Sequence, residues 1–595
     1  VNVAAGSSII FYDDTTYKGG SLTGDGRIYQ YGDMHVMADT TIDIATFSWN
    51  AFVVSPMVTT VDPGATLTIN SSLYGDEVRS DISINGGTIV VNTPNPWRLL
   101  GTMNLNYSSG WAYLQGTRMI LDSASTLNLN YGNVSAPITA EGTVNVSTYG
   151  YLTDPVFEST ASVNVTAGGW LALTGAPTIY RGGNYTGDGT LHQNGLGATV
   201  EADTTIDIAT YDWDGTGEWT PMTINPGVTF TINSTSIDSS GDGYDGTVTV
   251  QNGATLLVNT PGAWTLEGQM DLAGGKISGS GFYNSGTING YGLVEPNGLT
   301  NYNMMSFHGG TSKVYNSVYN EGDVVVSGCT TSFFGYVTNA SVGTIKNTNG
   351  TIYFNSGFTN YGKYESDPGD NHFNNIYIES SGYLVGGAGD RFLVSENFVS
   401  HSTANTLWET SSAELIFPSG PVGPANAHEF YLTGADLGLN MAGFINNFAW
   451  GTLSLENGQW VVLVDGNATV GGAVYVNNLL LDAGTRIKLN GMNIYYLNGG
   501  GLKQYFCGDA TLDGHVDDND LNIILTDWGK TVPPANPRAD LSGDFRVDDN
   551  DLNILLSDWG KGVPPAMGEP VPEPMTIVLL LVGSSAVIIR RKKQR

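Results

Sequence analysis

Two acidic stretches late in the chain have the residue types and spacing of a hard-cation site. The first, DATLDGHVDDNDLNIILTDWGK, covers residues 509–530, and the second, DLSGDFRVDDNDLNILLSDWGK, covers 540–561. The offset between them is 31 residues throughout. Oxygen-bearing side chains fall at loop positions 1, 3, 5 and 12: Asp509, Thr511, Asp513 and Asp520, then Asp540, Ser542, Asp544 and Asp551. Ca²⁺ takes six to eight oxygen ligands, and odd-numbered spacing turns successive donors toward one centre. Position 7 supplies a backbone carbonyl, from His515 and Arg546, and Asp517 and Asp548 at position 9 act through water. The expectation is two Ca²⁺ sites.

A helix must follow each loop to hold its last ligand. Leu521, Ile524, Leu525 and Trp528 fall at i, i+3, i+4 and i+7, and Leu552, Leu555, Leu556 and Trp559 repeat them, so each helix has one apolar face. Gly529 and Gly560 stand at the helix stops. Pro533, Pro534 and Pro537 exclude a helix before the second loop. Each unit is therefore a loop with one exiting helix. The pair, from residue 507 to 562, resembles a type I dockerin. The resemblance implies a cohesin-like partner engaged through loop positions 10 and 11, here Asp518–Asn519 and Asp549–Asn550. Those positions usually carry hydroxyl-bearing or apolar residues in cellulosomal dockerins. A second departure is Phe545, which stands where Gly514 makes the sharp turn of the first loop.

Beyond a Pro-rich linker at 563–574 comes VPEPMTIVLLLVGSSAVIIRRKKQR. Pro572, Glu573 and Pro574 precede an apolar run, 575–589, and a basic end. Fifteen helical residues reach about 22 Å, and snorkelling arginines extend them toward the roughly 30 Å of hydrocarbon. The basic end orients a single transmembrane helix with the body outside. This order of parts resembles a PEP-CTERM sorting signal, which implies processing by an exosortase and delivery to the cell surface, the extracellular matrix or the medium. The chain starts at Val1, and a cleaved export signal is expected ahead of it.

The body that these parts serve reads as mostly β. There are 79 glycines, only 13% charged residues and 41% apolar ones, enough for a core but spread over short Val/Ile/Thr/Tyr runs. Residues 19–49 return at 182–213, DPGATLTIN at 62–70 returns as NPGVTFTIN at 225–233, and VNTPNPWRLLGTMNL at 91–105 returns as VNTPGAWTLEGQMDL at 258–272. The offset drifts from 163 to 167. Two related units, about 15–110 and 177–275 with a spacer between them, thus make up residues 1–275. Fragments such as ATLTIN, GTIVVN and STLNLN alternate at period two between Gly- and Asn-rich turns. A parallel β-helix fits this best, with a sandwich array as the alternative. Residues 276–400 continue the texture in a looser form, and 401–506 form a β-rich module resembling one found ahead of the C-terminal repeats in surface proteins of planctomycete-like bacteria.

Charge narrows the partners. Five of the 23 basic residues lie in the last six positions, so the rest of the chain holds 18 basic against 56 acidic residues. Such a surface repels nucleic acid and anionic membrane, and it suits divalent cations or plain solubility. Two cysteines, Cys329 and Cys507, make no disulfide framework. The seven histidines form no local pair. Arg486, Ile487 and Lys488 match an Arg-x-Lys element of polygalacturonase-like enzymes, whose other elements are absent, so they read as an exposed strand. The loop SGDGYDG at 240–246 reads as a surface turn. Trp49, Trp97, Trp213 and Trp264 recur in both copies and read as core at solenoid corners, with sugar stacking as the alternative. No catalytic constellation is found, so the expectation is a non-enzymatic surface or matrix protein. The alternative is a polysaccharide-degrading or glycan-binding β-helix protein docked through its dockerin.

Overall fold

A computed structural model describes residues 1–49, 57–213, 221–237, 246–419, 427–438, 440–466, 472–499, 506, 508–511, 515–536, 538–542 and 544–562. Residues 575–595, the expected membrane helix and its basic end, lie outside the described residues, as do Pro572, Glu573, Pro574, Cys507, Asp513 and most of the loop at 240–246. No helix among the described residues is long and apolar enough to cross a membrane. Strand makes up 59% of the structure, as a β-solenoid of about 22 turns, with two short α-helices. The solenoid, rather than a sandwich array, is therefore the architecture. The chain divides into two compact units: residues 1–393 with 402–413, and 394–401 with the described residues from 414 onward.

Alternation dictates the coil. In the first unit, Thr102–Asn106 pairs in parallel with Thr126–Asn130, which pairs with Thr143–Val146, which pairs with Ser162–Val165. Met103, Leu127, Val144 and Val163 thus stack in one interior column, all fully buried, while Asn104, Asn128, Asn145 and Asn164 face the other way. Each step is one coil of 24, 17 and 19 residues. Two further columns run beside it. One contains Trp97–Leu99 and Met119–Leu121, and the other contains Ala112–Gly116, Tyr149–Phe157 and Trp170–Gly175. A strand buried on one face needs only every second residue apolar, which is why 41% apolar composition suffices.

Corners are set by turn chemistry. Ala65 N donates to Asp62 O at 3.1 Å around Pro63 and Gly64, with Gly64 at φ +74°. Val228 N donates to Asn225 O at 3.2 Å around Pro226 and Gly227, also at φ +74°. Proline second and left-handed glycine third is the pattern of a type II turn.

The duplication holds down to single bonds. Tyr17 Oη donates to Gln30 Oε1 at 3.0 Å, and Tyr180 Oη donates to Gln193 Oε1 at 3.0 Å. Asn92 Nδ2 reaches Asn70 Oδ1 at 3.0 Å, and Asn259 Nδ2 reaches Asn233 Oδ1 at 3.0 Å. Trp49, Trp97, Trp213 and Trp264 are all buried, which settles them as core.

Residues 276–400 continue the parallel coils, and their most regular feature lies in the interior. Asn284, Asn301, Asn320, Asn339 and Asn360 stack fully buried on successive coils. Each Nδ2 donates to the next Oδ1, at 2.6, 2.7, 2.8 and 2.7 Å. The same amides donate to backbone carbonyls, as Asn320 does to Gly322 O at 2.9 Å. A buried amide is tolerable only when its donors and acceptors are paired, and the stack pairs them repeatedly.

In the second unit His428–Leu432 pairs in parallel with Trp460–Asp465, and Trp450–Leu455 with Gly472–Leu481. One antiparallel step joins Gly434 and Ala435 to Ala473 and Gly472. The two helices follow: α1, Asp518–Thr526, and α2, Asp549–Ser557.

Candidate functional site

The two loop–helix halves lock together. Val516 N donates to Lys561 O and Gly560 N to Val516 O, each at 3.0 Å, so the first loop pairs with the chain leaving α2. Val547 N donates to Lys530 O at 3.0 Å and Gly529 N to Val547 O at 2.8 Å, so the second loop pairs with the chain leaving α1. The bonds repeat at the 31-residue offset of the sequence. Beneath them Val516, Val547, Ile524 and Leu555 form a buried core with Phe506, Ala535 and Ala539. Neither half closes a core alone.

Within each loop the predicted donors draw together. Thr511 Oγ1 donates to Asp509 Oδ1 at 3.2 Å and Ser542 Oγ to Asp540 Oδ1 at 3.3 Å. Thr511 N donates to Asp520 Oδ1, and Ser542 N to Asp551 Oδ1, both at 2.8 Å. Loop positions 1, 3 and 12 are thus tied to one another in both copies. In the second loop Asp544 N also reaches Asp540 Oδ1 at 3.2 Å, bringing position 5 beside position 1. Asp520 and Asp551 are completely buried. Among the described residues no three Asp, Glu, His or Cys side chains gather as a metal group. The predicted donor set draws as well on Asp513, hydroxyls and backbone carbonyls. The donors are hard oxygens on a short loop, which suits Ca²⁺; Asp509, Thr511 and Asp520 would hold one ion, and Asp540, Ser542, Asp544 and Asp551 the other, with carbonyls of His515 and Arg546.

The acids at positions 9 and 12 have a second task that the sequence reading missed. Asp517 Oδ1 accepts from Asn519 N at 2.7 Å while Asp520 Oδ2 accepts from Asp517 N at 2.9 Å. Asp548 and Asp551 repeat this capping box at 2.9 and 2.7 Å. The Asp-x-x-Asp spacing was the available signal. A carboxylate has about four acceptor sites, so capping leaves lone pairs for an ion.

Phe545 sits in the left-handed region that favours glycine, at φ +68°, and is 69% exposed. Its N–H donates to Asp540 Oδ2 at 2.9 Å, so the sharp turn forms despite the side chain.

The apolar helix faces are only half buried. Ile524 and Leu555 enter the core, whereas Leu525 and Trp528 are 52% and 40% exposed, and Leu556 and Trp559 are 53% and 43% exposed. Asp518, Asn519, Asp549 and Asn550 are exposed as well. The module therefore shows the same Leu–Trp pair twice.

On the solenoid, His192 Nδ1 and Asp212 Oδ2 lie 2.7 Å apart and are 3% and 2% exposed. In the first copy their places are held by Tyr29 and Ser48, paired in the same register. Trp170 lies against His192, ring centroids 5.0 Å apart and tilted by 35°. Ile487 is buried and pairs with Val461, and Arg486 and Lys488 are the two ends of the same ordinary solenoid strand. The sequence reading also missed a surface column of rings. Trp111, Tyr131, Tyr149 and Trp170 follow one another at 5.5, 5.3 and 5.9 Å on successive coils. Their spacing of 20, 18 and 21 residues, one coil each, was the signal.

No protein-family model matches the chain, and no curated protein matches it.

Proposed function

We propose that the protein is an exported, non-enzymatic structural or adhesion protein of the cell surface or extracellular matrix. The solenoid is its body. A Ca²⁺-dependent, dockerin-like module fastens it to a partner, a cohesin-like one by resemblance, and a PEP-CTERM tail, first a membrane anchor, is removed by an exosortase. The observation that carries this reading is the interlocked pair of loop–helix halves offering two exposed Leu–Trp pairs. Exposed tryptophans on a rigid element are typical anchors of an interface. The hard oxygen donors of the two loops suit Ca²⁺.

The test is fractionation of the producing cells. The wild-type chain should stay with the surface fraction in Ca²⁺ and leave it in a chelator. A Trp528→Ala/Trp559→Ala variant should leave it in both. Retention of that variant, or of the wild type under chelation, would overturn the reading.

A further inference from the structure

The ring column on the first unit lies on a face with a distinct character. Tyr107 and Tyr151 join the column, Tyr107 at 5.1 Å from Tyr131, and Tyr151 at 5.4 Å from both Trp111 and Trp170. Tyr107 is 54% and Tyr149 43% exposed, and the other four rings are half-buried. At Trp170 the column ends against His192, which lies 2.7 Å from Asp212.

Beside the rings runs a column of outward amides. Asn128 Nδ2 donates to Asn104 Oδ1 at 2.8 Å and Asn145 Nδ2 to Asn128 Oδ1 at 3.0 Å. The two columns are neighbours in sequence, since Asn104 lies three residues before Tyr107 and Asn128 three before Tyr131. In a chain of net charge −33, residues 102–106, 111–115, 126–130, 131–134, 143–146, 149–153, 162–165 and 170–174 contain no Asp, Glu, Lys or Arg. The same coils carry charge elsewhere, as where Arg98 bridges Asp122 and Glu141 at 2.7 Å each.

We infer that this face is a binding platform for an uncharged polysaccharide. Six contiguous rings, two exposed and four half-buried, mark an interaction surface. Rings present flat apolar faces with a negative quadrupole, which suit the C–H faces of pyranose rings, and aligned amides offer paired donors and acceptors for hydroxyls. Nucleic acid also stacks on rings, but it requires cationic residues along its backbone, and this face has none. An anionic polysaccharide meets the same objection. Rings repeating once per coil, about 4.8 Å apart along the solenoid axis, make a track for an extended chain rather than a pocket for one sugar.

The test is native affinity electrophoresis of the full chain in gels containing hydroxyethylcellulose, xylan or polygalacturonate, followed by calorimetric titration with the polymer that retards it. Retardation by a neutral polymer is expected. Affinity should fall at least tenfold in Trp111→Ala and in the milder Tyr107→Ala/Tyr149→Ala, whose rings are the most exposed and whose removal leaves the coil intact. A Tyr283→Ala/Tyr302→Ala control removes an exposed ring pair, 6.0 Å apart, elsewhere on the solenoid and should bind as wild type. No retardation by either neutral polymer, retardation by polygalacturonate alone, or an equal loss in the control would overturn the inference. So would sedimentation showing a dimer that the Tyr107/Tyr149 variant dissolves, which would make the rings a contact between copies.

Discussion

Asparagine does different work at different depths of this molecule. Inside, Asn320 donates to Asn339 and receives from Asn301, with no water to replace either bond. Asn320→Ala should therefore destabilise the solenoid by about 1–3 kcal/mol, the cost of stranding buried polar partners, read as a lowered midpoint in denaturant. Asn128→Ala, on the outer face, should cost less than about 1 kcal/mol because water replaces the lost bonds. An ion cluster gives a pH-dependent counterpart. Hydrogen bonds from Lys346 and then Lys363 hold the Glu365 carboxyl below its usual range. The stabilisation is present above the ordinary carboxylate range and is lost as pH falls through the depressed value. The melting difference between wild type and Lys346→Met should thus be largest near neutrality and shrink in acid; a difference that grows in acid would contradict this assignment. The sequence showed these asparagines, but at strand ends they read as turn formers. Only the stacking of coils reveals that the same residue type at near-constant spacing is an interior ladder.

At the scale of the element, the loops set the limits. Phe545 occupies a left-handed backbone that costs an L-residue with a Cβ about 1–2 kcal/mol, and glycine gives back about 0.5–1 kcal/mol through a freer unfolded chain. Phe545→Gly should accordingly stabilise the module by about 0.5–1 kcal/mol and tighten the proposed second Ca²⁺ site, read by thermal melting and by Ca²⁺ titration. The departure from glycine was visible in the sequence; that the chain accepts it without losing the turn was not. The helices were equally legible in register and ambiguous in burial. An i, i+3, i+4, i+7 stripe places four residues on one face, but a short helix in a small module buries only one of them fully. Ile524 and Leu555 go in, and the Leu–Trp pairs stay out.

At the scale of the molecule, the alternation, turns and internal duplication of the solenoid were readable because each is a local property of the chain. The three columns and the ring track were not, since they depend on which residues one coil sets above another, and coil length varies from 17 to 24 residues in the stretch from Met103 to Val163. The terminal module was readable for the opposite reason: its repeat is identical in spacing, and its two halves need each other. If pairing of the loops and cation binding are one event, the acids at position 1 govern both. The most direct measurement is calorimetric titration of the chelator-treated full chain with Ca²⁺, alongside an Asp509→Ala/Asp540→Ala variant. Two binding events in the wild type and none in the variant are predicted. A wild-type chain that binds no Ca²⁺, or a variant that binds as well as wild type, would contradict the account.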